Sequence, residues 1–245
     1  MLERDVAPGI HRIEDAYTNW YLVEDGDALT VVDCGVPTSW TSFELALRAI
    51  GRRKDDVRAI VLTHGHFDHI GFAERARREL GVPVWCHEND VPLTRHPTQY
   101  GHERPRSLYM LRPKTLPVVA AFAKARAFFP RSVEHVERYA DGTLPVPGSP
   151  RVVFTPGHTI GHCSLHLPER DTLIAGDAVV TFNPYLAEHG PQLVSGAATV
   201  DSERALRSLD ALAETGAKTV LCGHGPAWRD GAEVIADAAR RRGPT

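Results

Sequence analysis

The sequence predicts an α/β (α+β) protein in which two mixed β-sheets stack on each other and helices cover their outer faces. Short β-rich segments alternate with helix-forming segments in both halves of the chain. Two strand sets that are each flanked by helices favour this layered arrangement, because every sheet must bury its apolar face. With 245 residues and 42% hydrophobic content, the chain can form one large core. A single domain spanning residues 1–245 is therefore expected.

The first third of the chain reads as a strand meander followed by alternating helices and strands. Strands are predicted at residues 9–13, 20–24, 28–33, 57–62 and 82–86, where β-branched and aromatic residues concentrate. The turn Asp25-Gly26-Asp27 separates the second strand from the third. Helices are predicted at 39–50 and 70–80, and Gly81 ends the second of them.

A related order of elements occupies the second half. Strands are predicted at 151–154, 164–167, 172–174 and 218–222, with a helix at 201–214. His158, Asp177 and His224 each follow one of these apolar strands and stand next to glycine, so a loop can approach closely there.

Residues 89–132 interrupt this order with a segment rich in proline and arginine. Within it, a helix is predicted at 116–129, since Val118, Phe122, Ala125 and Phe129 share one helical face. The segment is interpreted as an insertion, which could be a helix packed on the sandwich, a lid over the active site or a dimer surface. As a lid it would form an apolar acyl or ring pocket from Tyr100, Tyr109, Met110 and Phe122.

Charge and cysteine content restrict the functional classes. The net charge of −3 provides no positive field for a nucleic acid. No basic, apolar leader and no apolar run of bilayer length is present, which predicts a cytoplasmic protein without a membrane partner. The four dispersed cysteines, Cys34, Cys86, Cys163 and Cys222, are expected to be buried free thiols.

The chemistry-bearing motif is the run His64-Gly65-His66-Phe67-Asp68-His69, which follows a predicted strand. Histidine and carboxylate are direct zinc ligands. In such a turn, His64 and His66 can converge on one ion, while Asp68 and His69 can face a neighbouring ion. The remaining histidines are interpreted as structural or solvated: His11, His87, His96, His102, His135, His162, His166 and His189.

These motifs resemble the metallo-β-lactamase-fold superfamily of hydrolases over essentially the whole chain. The resemblance rests on Asp33, the His64–His69 run, and His158, Asp177 and His224 within Pro-Gly-His-Thr, Ala-Gly-Asp-Ala and Gly-His-Gly. It implies an αββα sandwich with two metal ions at one edge. The implied ligands are His64, His66 and His158 for the first ion, Asp68, His69 and His224 for the second, and Asp177 for both. Asp33 would brace the ligand loops without touching metal.

The resemblance also implies a mechanism. Two ions, zinc with manganese or iron as alternatives, would share a hydroxide, and Asp68 and Asp177 would be catalytic. Asp68 would orient the hydroxide or pass a proton to the leaving group. The sequence differs from true β-lactamases at Asp177, because those enzymes lack this bridging aspartate. It differs from diiron oxygen reductases at Gly65, where those proteins carry Glu.

Substrate identity remains open at this stage. The absence of a long C-terminal region beyond His224 departs from glyoxalase II-like thioesterases, and the acidic balance argues against an RNA nuclease. A small-molecule ester, lactone or thioester is expected, with a lactone favoured. The alternatives are a persulfide dioxygenase-like iron oxidoreductase, a phosphodiesterase and a metal-stabilised binding module. A homodimer is also left open.

Overall fold

Two mixed β-sheets form the centre of the protein in the computed structural model, which describes residues 1–110 and 112–245 and only the backbone of Met110. The first sheet has the order β1-β2-β3-β4-β5-β6-β7, antiparallel from β1 to β4 and parallel from β4 to β7. Its strands are β1 (Leu2–Ala7), β2 (Ile10–Asp15), β3 (Thr18–Asp25), β4 (Ala28–Val32), β5 (Val57–Val61), β6 (Val84–His87) and β7 (Glu137–Tyr139).

The second sheet has the order β13-β10-β9-β8, in which only the β10–β13 pair is parallel. A separate hairpin joins β11 to β12. The bounds are β8 (Arg151–Phe154), β9 (Cys163–Leu167), β10 (Thr172–Gly176), β11 (Val180–Asn183), β12 (Glu188–Gln192) and β13 (Thr219–Cys222).

Alternation along the strands separates the apolar side chains into layers. In β3, Tyr21 packs in the core between the sheets, whereas its neighbour Leu22 packs in the outer core of the first sheet. In β10, Ile174 faces the inner core and Leu173 faces the outer core of the second sheet. Side chains of successive strand residues point to opposite faces. Each sheet is therefore buried on both faces.

Helices cover both outer faces. α1 (Ser39–Ala49) and α2 (Ala73–Leu80) pack on the first sheet, and α6 (Ser202–Ala213) and α7 (Ala232–Arg242) pack on the second. The other α-helices of the described residues are α3 (Val91–Arg95), α4 (Ser107–Met110) and α5 (Leu116–Lys124). The predicted αββα sandwich is confirmed. None of the helices in the described ranges combines the length and the apolar character that spanning a bilayer requires.

Several predicted elements differ from the observed ones. The predicted helix at 116–129 ends at Lys124, because Arg126 takes a left-handed backbone conformation with φ of 58°. The helix predicted from residue 70 begins at Ala73, after a turn in which Gly71 lies against the backbone of Val36. Sequence patterns did not reveal β1, β7, the β11–β12 hairpin or α7. Three of the residues of β1 are exposed and polar, so its alternation is weak.

The ends of parallel strands position the candidate site. β4 ends just before Asp33 and β5 ends before Thr63 and the histidine run. β10 and β13 end side by side, which brings Asp177 next to Gly223 and His224. Because parallel strands present their carboxyl ends at the same edge, residues distant in sequence meet there.

Candidate metal centre

One cluster of histidines joins the loop after β5 to the loop after β8. His64, His66 and His158 are all buried, and one ring nitrogen of each lies within 4.8 Å of the others. The first two residues are separated only by Gly65, at which a Cβ atom would come within 2.6 Å of the Leu93 side chain. The close packing of this loop therefore depends on glycine between the two histidines.

A second cluster lies beside the first. Asp68, His69 and His224 are buried, and their ligand atoms also lie within 4.8 Å of one another. The Nε2 atom of His224 is 3.6 Å from Oδ2 of Asp68, and that of His69 is 4.0 Å from the same oxygen. Thr18 donates a hydrogen bond of 3.4 Å to this oxygen of Asp68.

Asp177 lies between the two clusters. Its Oδ2 atom is 3.4 Å from Nε2 of His158, in the first cluster, and 3.3 Å from Nε2 of His224, in the second. Its Oδ1 atom is 3.7 Å from Nε2 of His69. Nitrogen and oxygen ligands that surround one zinc ion tetrahedrally, at about 2.0–2.2 Å, lie roughly 3.3–3.6 Å apart. The spacing around Asp177 is close to that range.

A hydrogen-bonded chain orients two of the histidines. Asp33, in a left-handed conformation with φ of 59°, accepts bonds of 2.8 Å from the backbone nitrogen and the hydroxyl of Thr63. Its Oδ2 atom also lies 3.0 Å from Nδ1 of His69. Because the Thr63 hydroxyl donates to Asp33, it accepts from Nδ1 of His64 over 3.0 Å. Both imidazoles therefore carry the proton on Nδ1 and present the Nε2 lone pair to the cluster.

Hydrogen-bond acceptors also hold the Nδ1 atoms of His224 and His158. Nδ1 of His224 donates to the carbonyl oxygen of Tyr17 over 2.7 Å. Nδ1 of His158 lies 3.3 Å from the hydroxyl of Thr199, which itself donates to the carbonyl of Val194 and so must accept from the histidine. These two imidazoles also direct an Nε2 lone pair towards Asp177.

Buried atoms without partners show that this donor set suits cations. Among the described residues, Nε2 of His64, His66, His69 and His158 and Oδ1 of Asp177 are buried and have no hydrogen-bond partner. A buried polar atom without a partner costs about 1–3 kcal/mol, so five in one place need an explanation. Divalent metal ions bound by these nitrogens and oxygens would satisfy all five. Asp33 also lies near His64 and His69, but its contacts with His69 and Thr63 account for that proximity.

The pKa values of the histidines differ between the two clusters. Burial lowers the pKa of His64 and His66 well below the ordinary histidine value, and neighbouring imidazoles lower it further, so both side chains are neutral. Burial also acts to lower the pKa of His69, but Asp177, Asp68 and Asp33 outweigh it and raise this pKa to about 10. The carboxylates thus create a strongly negative potential, which attracts a proton or a metal ion to the same lone pair.

Asp90 is a site residue that sequence reasoning missed. Its buried carboxylate accepts hydrogen bonds from the backbone of Gly65 at 3.0 Å, the hydroxyl of Thr159 at 2.7 Å and the backbone of Gly161 at 2.7 Å. These partners lie on the two loops that carry the first histidine cluster. Asp90 therefore fixes the separation of those loops. No motif marks it, although it lies only four residues after the predicted strand 82–86.

His162 is interpreted from sequence as a structural or solvated histidine, and it lies at the edge of the site. It is buried, and its Nε2 atom accepts a hydrogen bond of 3.0 Å from the backbone nitrogen of Asp177. Its Nδ1 atom contacts the hydroxyl of Thr155 at 2.9 Å. Burial, reinforced by His158, lowers the pKa of His162 to about 3, so the ring stays neutral. Its position four residues after His158 was the available signal.

Three of the four predicted pocket residues share one cavity, and one of the three, Tyr100, packs against a ligand histidine. The ring of Tyr100 packs 4.2 Å from that of His66, and Tyr100, Tyr109 and Phe122 line one cavity of about 160 Å³. The side chain of Met110 lies outside the part of the chain that the structure describes.

The segment 89–132 contacts the ligand loops at both of its ends. Near its start, Asp90 bonds to them, and near its end the rings of Phe122 and Phe128 lie 5.8 Å and 5.7 Å from Phe67. Its role as a lid stays a prediction. Removing the whole segment would also remove Asp90 and its bonds to the ligand loops. A deletion that tests the lid prediction must therefore begin beyond α3.

The amino-acid sequence matches a family model described as the metallo-beta-lactamase superfamily over residues 13–224. That range contains all seven candidate ligands and Asp33. The chain is also 31% identical over 238 residues to the probable metallo-hydrolase YflN of Bacillus subtilis (strain 168), in a match that covers 90% of this chain and 85% of the relative.

Solved structures resemble this fold. A metallo-beta-lactamase family protein from Thermus thermophilus aligns with a TM-score of 0.69 and 27% identity, covering 96% of this chain and 78% of the other. TTHA1623, solved in a di-iron-bound form, aligns with a TM-score of 0.65 and 24% identity, covering 93% and 96% respectively. The second likeness concerns the fold alone.

Proposed function

Since the chain belongs to the metallo-beta-lactamase superfamily, whose members are mostly metal-dependent hydrolases, we propose that it hydrolyses a small-molecule ester, lactone or thioester with two metal ions. A lactone is the favoured substrate. The observation that carries this proposal is the orientation of His64, His69, His158 and His224. Each directs its Nε2 atom into the site while an acceptor holds Nδ1.

The chain offers two ligand sets for zinc. His64, His66 and His158 would hold the first ion, Asp68, His69 and His224 would hold the second, and Asp177 would contact both. When bound, such ions lower the pKa of water and polarise a substrate carbonyl, which supplies a nucleophile at neutral pH. All seven ligands are imidazole or carboxylate and none is thiolate, a set compatible with zinc, manganese or iron.

Asp68 is proposed to handle the proton. In the hydrolysis, a water oxygen bonds to the carbonyl carbon, the acyl–oxygen or acyl–sulfur bond breaks, and the proton lost by water passes to the leaving group. Thr18 donates to Oδ2 of Asp68, which orients the carboxylate and leaves Oδ1 available to accept and return that proton. Asp177 has a different role, because its oxygens are directed at three histidine nitrogens.

Metal analysis combined with a substrate panel tests the proposal. Protein purified without chelator is expected to contain close to two equivalents of zinc and to hydrolyse lactones, carboxylic esters or thioesters. The same panel should include a phosphodiester. One equivalent of iron together with oxygen consumption on a thiol substrate would instead identify an iron-dependent oxidoreductase. Metal occupancy without turnover of any substrate would indicate a binding module.

A further inference from the structure

A largely apolar cavity of about 160 Å³ lies beneath the segment 89–132. α5 forms one wall, and the loop after β11 forms another. Its lining includes Phe67, Tyr100, Arg106, Val119, Phe122 and Tyr185. Thr115 does not add an unsatisfied polar group, since its hydroxyl donates to backbone carbonyls. Arg106 is the exception in the lining, because its Nε atom is buried and has no hydrogen-bond partner among the described residues. An apolar group could therefore occupy most of this space away from that atom.

Tyr100 separates this cavity from the metal centre. It also lines a second space, of about 220 Å³, whose walls include His66 and His158. The Tyr100 ring packs directly on His66, and Phe67 is the next residue of the metal-binding loop. A molecule that reaches past Tyr100 can therefore contact the apolar cavity with one end and approach the ligand histidines with the other.

The polar groups of the cavity concentrate at a tyrosine pair. The hydroxyls of Tyr100 and Tyr185 are 2.9 Å apart, and either can donate to the other. Whichever donates, the second hydroxyl hydrogen has no acceptor among the described residues. Arg106 packs 3.9 Å from the Tyr100 ring centre and donates to the Tyr100 carbonyl, so this tyrosine is held in place. One hydroxyl donor is thus available at the boundary of an apolar space, and the Nε–H group of Arg106 is a second donor without a partner among the described residues.

On the basis of the hydrolase function proposed above, we propose that this cavity receives the acyl part of the substrate. An engineered apolar cavity of about 150 Å³ accommodates benzene, so the group here would contain about six carbon atoms. The Tyr100–Tyr185 pair would donate a hydrogen bond to an oxygen next to that group. The substrates are therefore esters, thioesters or lactones of short-chain or single-ring acids. Long-chain acyl derivatives exceed the cavity.

A binding experiment tests the cavity without any reaction. Fluorobenzene is titrated into the purified metal-bound protein and followed by ¹⁹F NMR. Wild-type protein is expected to bind one equivalent, and Phe122→Trp, which adds bulk inside the cavity, should bind at least about tenfold more weakly. Phe129→Trp is the matched control, because Phe129 belongs to the same segment but is 77% exposed. It should bind like wild type.

Hydrolysis of an acyl series then tests the placement of the substrate. Acetate, butanoate, hexanoate, benzoate and dodecanoate esters of one alcohol are compared by kcat/KM. We expect a maximum between butanoate and benzoate. Phe122→Trp should lower the ratio of hexanoate to acetate kcat/KM at least about tenfold, whereas Phe129→Trp should leave that ratio unchanged. If Phe122→Trp does not fold, Val119→Phe fills the same cavity from the neighbouring turn of α5.

The outcomes separate this proposal from the hydrolase function. Absence of fluorobenzene binding by wild type would overturn the proposed binding cavity. Binding by a folded cavity-filling variant, Phe122→Trp or Val119→Phe, as tight as that by wild type would also overturn it. An unchanged hexanoate-to-acetate ratio in a folded variant would overturn the acyl placement while leaving the hydrolase intact. Fluorobenzene binding with the expected variant pattern, but without turnover of any panel substrate, would overturn the hydrolase function and the acyl assignment. In that case the cavity would remain a site for a small apolar group.

Discussion

Asp177→Asn tests whether two metal ions share one carboxylate. The substitution keeps the shape of the side chain but removes its negative charge and one of its two ligand oxygens. The backbone should stay in place, because the bond from its nitrogen to His162 does not involve the side chain. The variant therefore isolates the contribution of the carboxylate to the site.

The size of the effect follows from the position of Asp177. Its oxygens lie 3.3–3.7 Å from nitrogens of His158, His69 and His224, and the residue is 3% exposed. A unit charge pair at 4 Å contributes about 4 kcal/mol at an effective dielectric constant of 20. Losing an interaction of this order should release the second ion before the first, since Asp177 contacts two nitrogens of the second set, on His69 and His224, but only one of the first, on His158. Turnover should fall at least about a hundredfold, which corresponds to ~2.7 kcal/mol.

Metal stoichiometry and kcat are measured together at matched zinc concentrations. Asp171→Asn is the control, because Asp171 precedes the same strand, β10, at its other end and pairs with Lys218 at the surface. It should retain two ions and normal turnover. Two tightly bound ions and near-normal kcat in Asp177→Asn would refute the bridging role and leave Asp177 as a strand-end residue.

Three further variants or treatments probe the surroundings of the metal centre. Asp90→Asn should lower the affinity for the first zinc ion more than the affinity for the second, since an amide cannot accept all three hydrogen bonds from the ligand loops. Competition titrations that show an equal loss of affinity for both ions would contradict this. Gly223→Ala should lower metal content and kcat together, because its Cβ atom would lie 2.0 Å from Oδ1 of Asp177; full zinc occupancy by mass spectrometry would contradict it. Removing metal with a chelator should lower Tm, and added zinc should restore it, as the linkage of binding to folding requires; an unchanged Tm would show that the ions contribute little to stability.

Much of the fold was predictable because local patterns and long-range packing agree. Val57–Val61 and Thr172–Gly176 are apolar and β-rich, and both form buried strands. β1 was not predictable, because three of its six residues are exposed and polar and only pairing with β2 makes it a strand. The end of α5 was also missed, since the apolar spacing continues to Phe129 while the backbone turns at Arg126.

The candidate site, like the fold, was predictable from sequence only in part. The spacing of His64, His66, Asp68 and His69 indicates metal chemistry from sequence alone, because four residues that can bind metal rarely occur together in one turn. Sequence spacing could not show where Asp177 would lie relative to those residues. Its position between the clusters follows from the parallel pairing of β10 with β13.

Sequence by itself determined the layered fold, the family and the types of side chain that could bind metal, since these depend on residue identity and on spacing within short segments. Tertiary structure alone decided which groups hold those side chains in place. Asp90 bonds to residues 25 and 71 positions away in the chain, and His162 reaches Asp177 across 15 positions. The position of His162 four residues after His158 indicates that it lies near the site, but neither it nor Asp90 carries a local signal of the group to which it bonds. The role of each arises only when folding buries it where a distant backbone N–H needs an acceptor.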